Sequence, residues 1–519
     1  MTTDATTTPS TDLGPDDVLE HDVVIVGTGF SGLAMAIRLV RSGRPLHDVL
    51  LLEKAGDLGG TWRDNTYPGC ACDVPSNLYS FSYAQKPDWS RAFARQDEIL
   101  GYLRDVATRY GVDRRIRYGE ELVEAVYDGH GHWDLRTARG TRLRCRTLVL
   151  GTGALHLPAY PDIPGLDDFA GPVMHTARWP AGDDGLSGSR VAVIGTGASA
   201  IQIVPEIAPR TRELRVFQRT PAWVLPKVDR AFSAAEQRLY RAVPAAQRLV
   251  RAGVFWRLES RVLAFVAHPK ALLLAEKVAK RHLARQVSDP QMRARLTPDY
   301  RIGCKRILLS NDYWATFERP DVHLVTDAIT CVKRDAVVTA DGTRHEVDAI
   351  VLGTGFKVGE PVRDIAITGA GGRTLSEEWA EGMRGYLGVA VAGFPNLFLL
   401  QGPNSGLGHS SQIFTIERQV DYVAAAMALR DRRGARAVAV DPKVQDEFNA
   451  ELERRSRRTV WVSGCRSWYL DRFGNNRILW PGSLVGYWWR TRRADPADLV
   501  FDLPERAERP ATPLVLEDR

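Results

Sequence analysis

Apolar residues recur along the chain in short runs that close on glycine. Residues 21–26 form one such run, ending at Gly27; after Gly-Thr-Gly-Phe-Ser-Gly, residues 33–40 return to apolar positions at helical spacing. This order predicts a strand, a tight turn and a helix. Residues 49–52 make a second strand, which ends in Glu53. The same order restarts at Arg190: an apolar run over 191–194, Gly195-Thr-Gly197-Ala-Ser-Ala200, a helix through Ile207, and a strand over 214–217 that ends in Gln218-Arg219-Thr220. Two further apolar strands, 147–150 and 349–352, both run into Gly-Thr-Gly. Alternating strands and helices of this kind predict an α/β fold of two Rossmann-like dinucleotide-binding domains.

The repeated glycine exits predict that the second domain is inserted in the first. The expected division is a first part over 20–155, an inserted domain over 156–335, and a returning second part of the first domain over 336–495. From about 228 to 300 the pattern is helical and rich in Ala, Leu and Arg, with no strand signal. It predicts a helical insertion in the second domain, forming a wall over a substrate cavity. Loops near 360–390 and 460–490 are expected to line the same cavity. Residues 1–19 are rich in Thr, Asp, Ser and Pro, as in a disordered leader. Residues 496–519, rich in Pro and charge, read as a surface-wrapping tail.

Composition narrows the partners. A chain of 519 residues with a net charge of +6 scatters its basic residues and has no basic arm, which argues against nucleic-acid binding. No charge-free apolar stretch is long enough for a membrane span; around 250–274, Arg251, Arg257, Glu259, Arg261 and Lys270 interrupt the longest one, which reads as a packed helix, with membrane-surface contact as the alternative. The leader lacks the features of a signal peptide. Among six cysteines there is no C-x-x-C pair and no zinc spacing, so reduced thiols in a cytoplasmic protein, and no metal site, are expected.

The first glycine loop supplies the chemistry of a dinucleotide site. Gly27 permits the tight turn, Gly29 lets backbone approach a pyrophosphate, and Gly32 lets the helix pack on the strand, with Phe30 between them. Glu53 stands where an acid accepts from ribose hydroxyls, which suits FAD or NAD. The second loop, Gly195, Thr196, Gly197 and Ser199, is followed by a strand ending in Arg219. An acid at that point would repel a 2′-phosphate and an arginine binds it, so the second cofactor is expected to be NADPH, with Thr220 as an added hydroxyl donor. Gln202 either caps this loop or touches the cofactor.

After Glu53 comes Gly59-Gly60-Thr61-Trp62, then Tyr67-Pro-Gly69 and Asp73. This stretch resembles the flavin-contacting segment of flavin-containing monooxygenases and points to FAD in the first loop. Thr61, Trp62, Asp73 and Tyr79 are the implied flavin-site residues, although Trp62 and Tyr79 equally suit a core. Upstream of the second loop lies Phe169-Ala-Gly171-Pro-Val-Met-His175-Thr-Ala-Arg-Trp179-Pro180. It resembles the fingerprint of type I Baeyer–Villiger monooxygenases at every fixed position. The resemblance, which runs from about 20 to 495, implies that NADPH reduces FAD, that O2 then adds to the flavin, and that the resulting flavin peroxide converts a ketone to an ester or lactone. His175 is read as a domain-coupling residue rather than a proton donor. Lys305-Arg306 matches a basic pair of the family, with Arg306 as the catalytic cation, Asp73 positioning it, and Lys305 near the NADPH phosphate. Gly402-Pro-Asn404-Ser-Gly406-Leu-Gly408-His409 resembles a segment beside the flavin. Trp468 either reaches the nicotinamide cofactor or fills a core. The alternative activity is oxidation of an amine nitrogen or sulfide sulfur. A disulfide reductase lacks support, because no redox cysteine pair follows Glu53. The ketone and the oligomeric state are not legible.

Overall fold

A computed structural model describes residues 18–360, 362–465 and 467–502. The first sheet has eight strands. Its centre is parallel: Val18–Val26 lies between Val49–Glu53 and Arg142–Leu150, and Ile116–Tyr118 follows Val49–Glu53. On the far side of Arg142–Leu150 come Trp133–Thr137, Leu122–Tyr127 and Ala366–Thr368, and Leu397–Leu399 pairs with residues 148–150. Central strands with no polar face need cover on both sides; Val23, Ile25, Leu51 and Val149 are fully buried under the helix Phe30–Arg41 and its neighbours. The second sheet is wholly parallel, in the order Val322–Val325, Glu213–Phe217, Arg190–Ile194, Ala349–Leu352, Val173–His175.

The second sheet is inserted in the first, but the return comes later than the sequence suggests. Ala349–Leu352 does not open the returning half. It is hydrogen-bonded to Arg190–Ile194 on one side and Val173–His175 on the other, so the inserted unit extends through Leu352 rather than ending at 335. An apolar strand closing on Gly-Thr-Gly has the same local form in either sheet, and only pairing decides which it joins. That pairing has a use. A Cβ on Gly27 would lie 2.7 Å from the Gly151 carbonyl oxygen, and one on Gly195 would lie 2.5 Å from that of Gly353. Each dinucleotide loop is thus backed by the glycine exit of a neighbouring strand in its own sheet.

The fingerprint becomes part of the second sheet. Val173–His175 is its edge strand, and Gly171 is needed because a Cβ there would fall 2.1 Å from the Asp348 carbonyl oxygen. The helical insertion runs from Ala234 to Leu296, and no strand falls within it. At the ends, residues 18 and 19 already belong to the first strand, leaving residues 1–17 of the expected leader outside the described residues. The expected tail begins as a 3-10 turn over Pro496–Asp498 and a strand: Leu499–Asp502 pairs antiparallel with Ala437–Val440, and residues 503–519 lie outside the described residues. No helix among the described residues is long and apolar enough to cross a membrane, and no group of three or more His, Cys, Asp or Glu there is arranged to hold a metal ion.

Candidate active site

One cavity of about 1390 Å³ runs between the two glycine loops. Every residue expected at a cofactor or catalytic site borders it except Gly32. Gly32 instead serves packing, because a Cβ there would sit 1.8 Å from the Gly27 carbonyl oxygen. Gly29 and Gly197 differ from it. Both have ordinary negative φ, −76° and −81°. A Cβ on Gly29 would approach no protein atom closer than 3.7 Å, and one on Gly197 would meet nothing within 4 Å. Neither strain nor packing requires glycine at these two positions. Each opens the N-terminus of a helix of ten or more residues, where free N–H groups and the helix dipole receive a pyrophosphate. The cradle therefore fits two dinucleotides.

In the cavity lining, Arg306 is fixed by two groups remote in sequence. Its Nε and Nη2 donate to Oδ2 of Asp73 at 3.1 and 2.6 Å, and its Nη1 donates to the Leu407 carbonyl at 3.1 Å. These bonds leave two of the five guanidinium N–H donors uncommitted. The side chain is 31% exposed, towards the cavity. The Asp73 charge raises the guanidinium pKa further, outweighing burial, so the cation is permanent. Leu407 escaped sequence reasoning as a partner because its carbonyl has no side-chain signature; the Gly402–Gly408 family match is the signal that points to it.

Beside the first glycine loop, Trp62 donates from Nε1 to the Tyr79 hydroxyl at 3.2 Å, and Tyr79 meets Phe30 edge-on at 5.2 Å. Glu53 is more committed than the sequence suggests. Its Oε2 accepts from the Thr28 N–H and hydroxyl at 3.1 and 2.7 Å, and its Oε1 accepts from the Ala55 N–H at 3.0 Å and pairs with Arg63 at 2.9 Å. Four donors fill the carboxylate, so a ribose hydroxyl reaches it only by displacing one of them.

On the other wall the cavity is lined by Arg219 and Lys305. Burial, and then Arg219, hold the Lys305 amine below its usual pKa. Lys305 also lies 4.8 Å from the ring centroid of Tyr300, the one residue of the 228–300 segment that borders the cavity. The helical insertion thus does not form the expected wall; Val362, Ile365, Met383, Ser467 and Trp468 show that the two loop regions do contribute. Thr196 donates its hydroxyl to the Thr220 carbonyl at 2.8 Å, joining the glycine loop to the strand end. Gln202 spans the two sheets' loops: its Oε1 accepts from the Tyr67 hydroxyl at 2.7 Å and its Nε2 donates to the Ala71 carbonyl at 2.9 Å. Trp468 is 48% exposed and packs edge-on against buried Tyr469 at 4.4 Å.

His175 does not border the cavity. It is buried, its Nδ1 accepts from the Ala177 N–H at 3.1 Å, and burial lowers its pKa to about 4. It is therefore neutral near pH 7, and with Nδ1 accepting, the ring proton sits on Nε2.

The cysteines require a correction. Cys304 and Cys465, 161 residues apart, form a disulfide, so the reading of all six as thiols does not stand. Sequence spacing cannot show this pair, because the fold alone brings the Cα atoms to 6.3 Å, a separation that a disulfide spans. The bond ties the segment bearing Lys305 and Arg306 to the loop bearing Trp468. Thiol titration of the denatured, unreduced protein is expected to find the four thiols of Cys70, Cys72, Cys145 and Cys331, rising to six after reduction. Six before reduction would remove the bond.

A family model described as pyridine nucleotide-disulphide oxidoreductase matches residues 24–237, which hold both glycine loops. No redox pair accompanies the match: Cys70 and Cys72 are free and buried, and burial pushes the Cys70 thiol up to about 12. The chain is 48% identical over 499 residues to a Baeyer-Villiger monooxygenase of Streptomyces coelicolor, covering 95% of each protein. It is 45% identical to a Baeyer-Villiger monooxygenase of Pseudomonas aeruginosa, over 91% of this chain and 88% of that one. Among solved structures, an oxidized steroid monooxygenase bound to NADP superposes with a TM-score of 0.84 at 32% identity, over 93% of this chain and 100% of that one. Cyclohexanone monooxygenase from Rhodococcus sp. Phi1, bound to NADP+, superposes with a TM-score of 0.83 at 27% identity, over 94% of this chain and 100% of that one. With two dinucleotide cradles facing one fixed arginine, and identity of this level over nearly its whole length, the chain belongs to the Baeyer–Villiger monooxygenase family and is an FAD- and NADPH-dependent monooxygenase.

Proposed function

We propose that Arg306 is the catalytic cation of this monooxygenase, that Asp73 positions it, and that the substrate is a ketone admitted to the cavity between the two glycine loops. The observation that carries the proposal is the Arg306 site: a part-buried, permanently charged guanidinium held by Asp73 and the Leu407 carbonyl, with two N–H donors left over. Bound FAD supplies the hydride acceptor and the centre at which O2 is activated. The protein's part is electrostatic and geometric. Arg306 offers fixed donors to negative charge that develops on oxygen in the cavity, and because it is already oriented it needs no reorganisation when that charge appears. Asp73 takes up the other edge of the guanidinium, which restricts its rotation. Trp62, Tyr79 and Phe30 close one wall with rings and limit water. The first glycine loop would hold the FAD pyrophosphate. The second would hold that of NADPH, with Arg219 and Lys305 taking its 2′-phosphate and Thr220 beside them. Trp468, half-exposed on the tethered loop, would lie against the nicotinamide cofactor.

The phosphate assignment has a direct test. Arg219→Ala is expected to raise the KM for NADPH by roughly 10- to 100-fold, the loss of one charge-assisted contact, and to leave the KM for NADH nearly unchanged. Equal losses for the two cofactors would remove Arg219 from the phosphate site. The reaction itself is tested by NADPH oxidation over panels of ketones and sulfides with product identification. An ester or lactone from a ketone supports the proposal; NADPH use with sulfides and no ester from any ketone would replace it by heteroatom oxidation.

A further inference from the structure

The helical insertion is expendable to the cavity wall, yet its outer face is unusual for a surface in water. Helix Pro244–Glu259 passes through Ser260 and Arg261, both in the right-handed helical region, into Val262–Val266, so the helical path is nearly continuous. Leu249, Trp256 and Leu263 are spaced by seven along it and therefore project on one side. They are 73%, 59% and 60% exposed. The opposite side is the packed one: Leu258, Val262 and Phe265 are buried, and Phe255 stacks on Phe414 at 5.0 Å. Helix Leu272–Gln286 repeats the arrangement, with Leu272 and Ala279 buried and Leu274 69% exposed. Phe265, Leu272 and Ala279 share one buried cluster with Trp461 and Ile302, so these two helices turn their apolar outer residues away from a common core. Exposed large side chains in such a row are not the scatter expected on a monomer surface.

The charge around this row has one sign. Residues 237–286 contain eleven Lys or Arg and two acids. Both acids face inward: Glu259 pairs with buried His409 and accepts from the Val485 N–H, and Glu276 accepts from the Ile302 N–H. Arg248, Arg257, Arg261, Lys270, Lys277 and Lys280 form no ion pair with any described residue. We infer that this face is a docking surface for an anionic lipid bilayer, the apolar row entering the interface and the basic rim meeting lipid phosphates. A row of Leu and Trp flanked by unpaired Lys and Arg is the composition of an interfacial helix. A second copy of the chain fits poorly, because a two-fold contact would set this uniformly basic face against itself.

The test uses the purified flavin-loaded protein and flotation with vesicles. Wild type is expected to float with vesicles of phosphatidylglycerol and phosphatidylcholine, to stay behind with phosphatidylcholine alone, and to be released in part at 1 M NaCl, where the screening length is about 3 Å. The triple variant W256S/L263S/L274S removes only exposed side chains. It is expected to lose at least about tenfold in vesicle partitioning while keeping its flavin absorbance and its reduction by NADPH. Should that variant fail to fold, Lys277→Glu with Lys280→Glu on an exposed helix face should abolish the preference for the anionic vesicles. Wild type that ignores anionic vesicles, or variants that bind them as wild type does, would overturn the inference. So would a lipid-free dimer, seen by sedimentation velocity, that the triple variant splits; the occupant would then be a second copy.

Discussion

Replacing Arg306 by alanine should cut ester formation by about 10³-fold or more while NADPH still reduces the bound flavin. A single preorganised neutral donor to an oxyanion is worth about 10²- to 10³-fold in rate, and Arg306 contributes a full charge with two free N–H groups. The fold should survive the change. Asp73 is 32% exposed, so the carboxylate left behind hydrates from the cavity rather than remaining a buried unpaired charge. Arg306→Lys should fall between the two. A lysine restores the charge, but one ammonium cannot reproduce the two-point grip on Asp73 together with the bond to the Leu407 carbonyl. Anaerobic stopped-flow reduction measured beside aerobic product yield separates the two half-reactions. Undiminished ester from the alanine variant, or loss of flavin reduction equal to the loss of ester, would refute the role.

The second large effect concerns Gly29. Gly29→Val should give a folded protein without flavin. The position has an ordinary φ, and a Cβ there would come no closer than 3.7 Å to any protein atom, so the chain itself tolerates a side chain. The space belongs to the pyrophosphate path, and a branched side chain at the helix N-terminus would occupy it. Gly32→Ala is the control with the opposite outcome: its Cβ would collide with the Gly27 carbonyl at 1.8 Å, and the helix could not stay on the strand. Flavin content after purification, with far-UV circular dichroism for the fold, distinguishes them. The Gly29 variant should retain the native spectrum with a lower Tm, since a ligand that binds only the folded state no longer contributes. A yellow, fully loaded Gly29→Val protein would exclude this loop as the flavin cradle.

Some parts of the site are local and others are not. The glycine loops, the acid at the end of one strand and the arginine at the end of the other are written within a few residues, because a tight turn, a close backbone approach and a strand-end charge each depend on short-range geometry. The same locality misled at the strand Ala349–Leu352, whose sequence suits either sheet and whose partners Arg190–Ile194 and Val173–His175 are assigned only by pairing. At Glu53 locality leaves the side chain's partners unread. The residue type and position suggest a ribose acceptor, but the side chain's four acceptor sites are filled by Thr28, Ala55 and Arg63. The helical insertion was legible as helical, yet which of its faces was covered was not, since an amphipathic pattern does not say whether water or another surface lies outside.

Local sequence was enough for two dinucleotide cradles, for the sign of charge that each strand end offers, and, through the fingerprint and the Lys305-Arg306 match, for the reaction family. Folding had to add the rest: that Arg306 meets Asp73 across 233 positions, that a carbonyl from Leu407 completes the grip, that Cys304 reaches Cys465, and that Arg219 and Lys305 line the same cavity. The difference is one of range. A turn or a strand end is specified by the residues that form it, whereas a charge pair between distant segments exists only once sheet register and core packing have set the distance between them.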